Sequence, residues 1–469
     1  SFSIIQIAIP IGLIGTIYFI YLLSKYTDVK YQYNLRKALV TINEEELKIA
    51  LGEFHHRDEG LQYQNHNHEF SLDIDLFGKG SFYQFMNRTS INEGANTLVK
   101  ALTSNNIKNI SLRQEAIKEL SRRPEWRQQF TAIASLIKVE TSALQIIDWL
   151  RNHNTFLPKL MAWLPLAFTL ITIIILGLCV CNAISFVFLG YWLLAGLGVT
   201  GLYLKKINIL SYNTDKVKDT FRQYASLLNQ IEKQDFKSQL LKEKQNHIHL
   251  EQKKASTIFL EFSKHLDALD NRNNLIAALF GNGFFLSDIK NSFKIEKWIS
   301  EHKTIVDRWF EVVSFFDAYN TLGNFAFNHP EYVFPEITDD KVVIDAKDLG
   351  HPLLDVTKRI ASDVKINNQQ FFIVTGANMA GKSTFLRTIS LHIVMANIGL
   401  PVCAKSSQYH PVKLITSMRT SDSLIEDSSY FFSELTRLKF IVDAIEDESY
   451  FIILDEILKG TNSTDKAIG

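Results

Sequence analysis

The residues best suited to chemistry lie in the last quarter of the chain. Gly376-Ala377-Asn378-Met379-Ala380-Gly381-Lys382-Ser383 follows the pattern G-x-x-x-x-G-K-[ST], a loop that wraps phosphate oxygens. Small residues let backbone N–H groups close around the anion, and the helix expected from Thr384 onward aims its positive dipole end at it. Lys382 would reach the β- and γ-phosphates, and the Ser383 hydroxyl would ligate Mg²⁺. Such a site needs an acidic partner, and the apolar run Phe451-Ile452-Ile453-Leu454 ends in Asp455-Glu456. Asp455 is expected to hold Mg²⁺, directly or through water, and Glu456 to orient or deprotonate the attacking water. The cofactors implied are ATP and Mg²⁺.

Both groups have to be carried by strand ends. Phe371-Phe372-Ile373-Val374, aromatic and β-branched, has the composition of a buried parallel strand and runs directly into the loop. The fold class expected for residues 336–469 is therefore an α/β phosphate-loop NTPase.

The loop and its surroundings resemble the MutS DNA mismatch repair family, whose ATPase belongs to the ABC type. That family's loop has the form TGPNMGGKST, against Thr375-Gly376-Ala377-Asn378-Met379-Ala380-Gly381-Lys382-Ser383-Thr384 here. Leu386-Arg387 and Met395-Ala396-Asn397-Ile398-Gly399 resemble the helix that follows, and Gly350-His351-Pro352 a turn that precedes it. Leu454-Asp455-Glu456-Ile457 to Gly460-Thr461 is similar to the family's DEIGRGT. Asp427-Ser428-Ser429-Tyr430-Phe431 through Glu434 is similar to its STF..E signature. The resemblance implies that Ser429 faces the nucleotide of a partner subunit, so that the active ATPase is a homodimer, and that DNA is a partner. Departures occur at Ala377 for proline, Ala380 for glycine and Leu458-Lys459 for Gly-Arg. They alter loop geometry and leave the chemical groups in place.

Upstream, two regions are too apolar for an ordinary soluble domain. Residues 1–24 carry no charge and are long enough to span a bilayer, and residues 160–204, also uncharged, are about twice that length. The second region reads as a transmembrane hairpin turning at Asn182. Lys25 and Lys30, Lys159, and Lys205 with Lys206 place its flanks and the ATPase domain in the cytoplasm by the positive-inside rule.

Between these lie residues 25–159 and 205–335, read as two parts of a helical domain. Asp73-Ile74-Asp75-Leu76-Phe77-Gly78-Lys79-Gly80-Ser81, continuing to Asn87-Arg88-Thr89, is similar to the entry of the MutS lever and should lead into a helix. Ser111-Leu112-Arg113-Gln114-Glu115-Ala116 is a second such stretch. Phe221, Tyr224, Leu228 and Ile231 have the spacing of one buried helix face. The charged stretch 232–254 reads as the solvated side of a helix. Gly323 and Asn328-His329-Pro330 should close the helical region, with strands starting near Lys341. Nothing resembles the family's mismatch-reading domain: the Phe-x-Glu tripeptides at Phe259, Phe334 and Phe432 stand in the wrong context. The chain reads as a MutS-like protein, membrane-anchored, lacking that domain and cut within the ATPase.

Composition constrains the partners. Lys plus Arg and Asp plus Glu are 50 each, so no global positive field advertises nucleic acid, and any DNA contact must be local. Three cysteines, Cys179, Cys181 and Cys403, are too few for a disulfide framework. His55, His56, His66 and His68, near Glu53, Asp58 and Glu69, fit no metal-site spacing and read as polar loop histidines. One alternative, an ATPase of a membrane transporter, lacks the Leu-Ser-Gly-Gly-Gln signature, and the short interval from Lys382 to Asp455 leaves little room for a transporter's helical subdomain. The other, a nucleotide-gated membrane scaffold, is disfavoured by the presence of Glu456.

Overall fold

The computed structural model describes residues 2–137, 141–249, 253–377, 381–418 and 430–455. Helices come first: α1 (Phe2–Ala50), α2 (Phe82–Met86), α3 (Asn92–Thr103), α4 (Ile110–Ser121), α5 (Pro124–Ser135) and α6 (Ala143–Asn152). The apolar α7 (Leu164–Val180) is followed by α8 (Val187–Glu232), and then by α9 (Gln239–Asn246), α10 (Ala255–Asp270), α11 (Leu275–Phe285), α12 (Ser287–His302) and α13 (Val306–Asn328). The last part alternates: β1 (Glu336–Ile337), β2 (Val342–Leu349), β3 (Ser362–Asn367), α14 (Lys382–Ile398), β4 (Ser406–Tyr409), β5 (Lys413–Ser417), α15 (Tyr430–Asp447) and β6 (Tyr450–Leu454).

Local chemistry explains several boundaries. The helix expected after the glycine-rich segment is α2, capped by Ser81, whose hydroxyl accepts from the Gln84 N–H at 3.1 Å. The turn between α7 and α8 falls at Asn182, which adopts φ 57°, a left-handed conformation that asparagine tolerates. Lys205 and Lys206 end the apolar run without ending the helix, so α8 continues from the apolar segment into the soluble core. There Phe221, Tyr224, Leu228 and Ile231 are all buried, against α10 and α12, where Phe262 stacks on Trp298 with ring centroids 3.8 Å apart.

Helix α13 is buried along most of its length and is the spine of the helical region. Gly323 does not close that region: it lies inside α13, where an added Cβ would come within 2.8 Å of Leu120 on α4. Its role is close helix approach, and the helix stops five residues later at Asn328. Asp317, also on α13 and fully buried, accepts from the N–H groups of Ser90 (2.9 Å) and Ile91 (3.1 Å), so a carboxylate from a distant helix caps α3. Burial pushes its pKa up to about 7, with the neighbouring Glu93 charge adding to the effect. In the charged stretch 232–254 the described helical residues are Glu232, the last of α8, and α9, and Glu232 is buried rather than solvated. Its carboxylate takes the Ser256 N–H (3.0 Å) and hydroxyl (2.5 Å) at the start of α10.

Two sheets follow. The first has the order β1-β4-β2-β3, antiparallel except for the parallel β1–β4 pair. In the second, β5 and β6 pair in parallel with Lys413 opposite Tyr450 and Ser417 opposite Leu454. The expected strand at Phe371-Phe372-Ile373-Val374 is not formed. Those residues have no regular secondary structure, with Phe371 at 86% and Ile373 at 71% exposure. An apolar β-prone run becomes a strand only where a neighbour takes its backbone hydrogen bonds. No strand among the described residues does so here.

One described helix, α8, is long and apolar enough to cross a membrane, with α7 and α11 as shorter apolar helices. Their outward faces are exposed: Ile174 at 60% and Leu194 at 63%.

Candidate nucleotide site

The site is assembled at the start of α14. Gly381 stands immediately before this helix at φ 87°, ψ 14°, a left-handed conformation that a side chain would strain. Its carbonyl accepts the Phe385 N–H at 2.9 Å, which starts the helical ladder. The early N–H groups of α14 have no partner within the helix, an arrangement suited to an anion. Lys382 folds back over the loop, with Nζ 2.6 Å from the Gly376 carbonyl and 3.4 Å from that of Ala377. That contact holds an ammonium at the mouth of the loop.

Strand β6 delivers the acid. The Asp455 N–H donates to the Ser417 carbonyl on β5 at 2.9 Å, and the Ser383 hydroxyl donates to Asp455 Oδ2 at 2.6 Å. A hydroxyl and a carboxylate from two elements distant in sequence thus meet where the loop enters the helix. Both are hard oxygen donors, and together they fit Mg²⁺, which favours one or two protein oxygens and keeps its remaining positions for phosphate and water.

A cavity of about 570 Å³ opens beside them. Lys382, Thr384, Phe372, His351 and Ile360 are among its walls. His351 is held neutral, its pKa pushed down to about 4 by burial and by the nearby Arg387 charge. Its Nδ1 accepts from the Leu353 N–H at 3.3 Å. The mix of an apolar wall, a neutral imidazole and the ammonium groups of Lys358 and Lys382 suits a ligand with a flat base at one end and phosphates at the other.

The structure adds a support that sequence reasoning missed. The outer edge of β5 is covered by the segment around residues 69–105. The Glu69 carbonyl accepts the Thr416 N–H at 2.9 Å, and the Asn105 amide pairs with both backbone groups of Leu414, at 2.9 and 2.8 Å. Asp73 Oδ2 accepts from the Thr416 hydroxyl at 2.5 Å. Arg437 on α15 donates to the carbonyls of Glu69 and Thr416, and Arg387 on α14 reaches the Asp73 carbonyl at 3.1 Å. Nothing in one sequence ties these polar residues together across more than 300 positions. The histidine-rich stretch serves local structure: His56 pairs with Glu45 at 2.5 Å, and His68 Nδ1 accepts from the N–H groups of Phe70 and Ser71.

Of the residues expected in the site, Gly376, Ala377, Gly381, Lys382, Ser383, Thr384 and Asp455 are described, and Lys382, Ser383 and Asp455 make the contacts above. Asn378, Met379, Ala380, Ser429 and Glu456 lie outside the described residues, as do Ile457 to Thr461.

Part of the chain is similar in sequence to known proteins. Over 181 residues the chain is 34% identical to MutS protein homolog 4 of Homo sapiens, covering 38% of this chain and 19% of that protein. It is 32% identical over 174 residues to the DNA mismatch repair protein MutS of Fusobacterium nucleatum, covering 35% and 19%. With the protein of the same name from Acetivibrio thermocellus it shares 34% identity over 187 residues, covering 38% and 20%. The chain spans about a fifth of the length of these relatives. Residues 372–468 match the family model described as MutS domain V.

Proposed function

We propose that the protein is a membrane-anchored MutS-like ATPase that binds Mg²⁺-ATP at residues 376–384, closes as a homodimer and reopens on hydrolysis. The observation that carries this reading is the 2.6 Å hydrogen bond between Ser383 and Asp455. It joins the end of the phosphate loop to the acidic strand, as a shared magnesium site requires. In this scheme the N-terminal N–H groups of α14 and Lys382 bind the phosphates, and bound Mg²⁺ neutralises their charge. Asp455 and Ser383 orient the metal, and Glu456 accepts a proton from the attacking water. Ser429 contributes across the dimer. By similarity to proteins named for DNA mismatch repair, the process served is mismatch repair or related DNA handling.

The anchor is the α7–α8 hairpin together with the apolar start of α1, with the ATPase domain on the cytoplasmic side. Supporting it are the apolar exposed faces of α7 and α8 and the lysines at their flanks.

The nucleotide reading is tested by a double-mutant cycle on Mg²⁺-dependent ATP affinity with Ser383→Ala, Asp455→Asn and both. Groups sharing one metal give strongly non-additive losses, with coupling of about 0.5–3 kcal/mol. Additive losses would separate the two residues and remove the shared site. DNA binding is tested by titrating duplex, mismatched and branched DNA at several salt concentrations. A salt-dependent affinity supports the reading, and no binding at low salt removes DNA from it.

A further inference from the structure

Helix α11 is a third apolar element that belongs with the hairpin. From residue 273 to 287 the chain has no charge, and the flanking charges, Arg272 and Asp288, pair with each other at 3.1 Å. Helix α11 is only eleven residues long, about 16 Å at 1.5 Å per residue, half of a hydrocarbon core of about 30 Å. It cannot span alone.

Its placement is set by close contacts with the two hairpin helices. Gly283 and Gly196 meet backbone to backbone: a Cβ on Gly196 would lie 2.3 Å from the Gly283 carbonyl oxygen, and one on Gly283 would lie 2.6 Å from Leu193. The Thr172 hydroxyl donates to the Phe284 carbonyl at 2.8 Å and receives the Trp192 indole N–H at 2.8 Å. Thr172 is the middle residue of α7, and Gly196 falls midway along the apolar part of α8, residues 187–204. The C-terminal end of α11 therefore stands level with the centre of both hairpin helices.

Side chains meet part of its polar backbone near the C-terminal end. A helix end leaves carbonyls without intrahelical partners, and in hydrocarbon each must be satisfied by protein. Thr172 satisfies that of Phe284. The Gly281 carbonyl receives the Ser287 hydroxyl at 3.0 Å, and the buried Asn282 side chain accepts the Asp288 N–H at 2.9 Å. The N-terminal turns of α11 present an apolar, open surface, with Leu275 at 83%, Ile276 at 69% and Phe280 at 49% exposure.

We propose that α11 is a re-entrant half-helix that enters the bilayer beside the α7–α8 hairpin, its open face contacting lipid acyl chains. The inference rests on the membrane reading of the hairpin, and makes the anchor a packed three-helix unit continuous with the helical domain through α10 and α12. Movements of that domain are then coupled to the membrane-embedded part.

The test uses the full chain with Cys179, Cys181 and Cys403 replaced by alanine, spin-labelled at single cysteines, in phosphatidylethanolamine–phosphatidylglycerol vesicles. Labels at Leu279 and Phe280 report on α11, at Ile174 and Leu194 on the hairpin, and at the partly exposed Ser226, in the soluble part of α8, on water. The expected result is that Leu279 and Phe280, like the hairpin positions, collide with oxygen at least threefold more, relative to a water-soluble nickel chelate, than Ser226 does. Nickel access at Leu279 and Phe280 with an oxygen-dominated hairpin overturns the α11 proposal alone. Shielding of both α11 labels from both reagents shows a protein surface covering the face and likewise overturns it. Nickel access at Ile174 and Leu194 overturns the membrane reading itself.

Discussion

Removing the Asn105 side chain should loosen the strand that supports Asp455. Asn105 occupies φ 49°, where glycine is at ease, so Asn105→Gly deletes the amide without adding backbone strain. The change leaves the N–H and carbonyl of fully buried Leu414 without their partners at 2.9 and 2.8 Å. An unsatisfied buried polar group costs about 1–3 kcal/mol, so roughly 2–4 kcal/mol of local stability should be lost at β5. Because 1.4 kcal/mol is about tenfold, amide exchange over residues 413–417 should accelerate roughly 30- to 700-fold, provided these amides exchange by local opening. Hydrogen exchange read by mass spectrometry on the detergent-solubilised protein measures this directly. Mg²⁺-ATP affinity should fall with it, since β5 holds the Asp455 backbone. Exchange within threefold of wild type would refute the argument that this cross-domain amide secures the strand.

Asp317 should give the protein a distinctive pH dependence. Its native pKa is raised from 3.8 to about 7, so between those values the native state holds a proton that the unfolded state has released. Stability therefore falls as pH rises across that window, by roughly 4 kcal/mol for about three units. His351 and His392, with pKa values lowered to about 4, slope the other way up to about pH 6.5, so the readout is the difference between wild type and Asp317→Asn. In thermal melts from pH 5 to 8 the variant should gain relative to wild type as pH rises, and parallel curves would contradict the burial argument. For the anchor, Ile174→Arg places a charge midway along α7 at a cost of about 2.5–3.5 kcal/mol on insertion scales. Carbonate extraction of protein lacking residues 1–24 should retain the wild-type hairpin and release more of the variant. Full release of the unsubstituted hairpin would remove the assignment.

What could be read from the residues alone was whatever short-range pattern encodes. The helix that starts at Lys382 and the strand ending before Asp455 are continuous segments with their own chemistry, the helix expected after the glycine-rich segment is α2, and the turn at Asn182 is a single-residue signal. The reading failed where partners decide. Phe371-Phe372-Ile373-Val374 has strand composition and no described neighbour to bond with. Gly323 looked like a helix terminator and serves close packing of α13 on α4. Glu232 sits in a charged run yet is buried, because α10 needs a cap. Helix α11 was hidden for a related reason: eleven apolar residues resemble any core helix until its contacts with Thr172 and Gly196 place it beside the hairpin. The edge of β5 was invisible because Glu69, Asp73, Asn105 and Arg437 are ordinary polar residues until the fold brings them to one strand.

The most direct test of the central claim is ATP turnover by the full protein, wild type beside Lys382→Ala and Glu456→Gln, with nucleotide binding measured in the same preparations. Lys382 holds its ammonium against the Gly376 carbonyl in the loop, where it would meet the terminal phosphates, so Lys382→Ala should lose binding and turnover together. Glu456→Gln keeps the shape but cannot accept a proton, so ATP should still bind while hydrolysis slows by about 10²–10⁴-fold. Undiminished turnover in Lys382→Ala would contradict the nucleotide site.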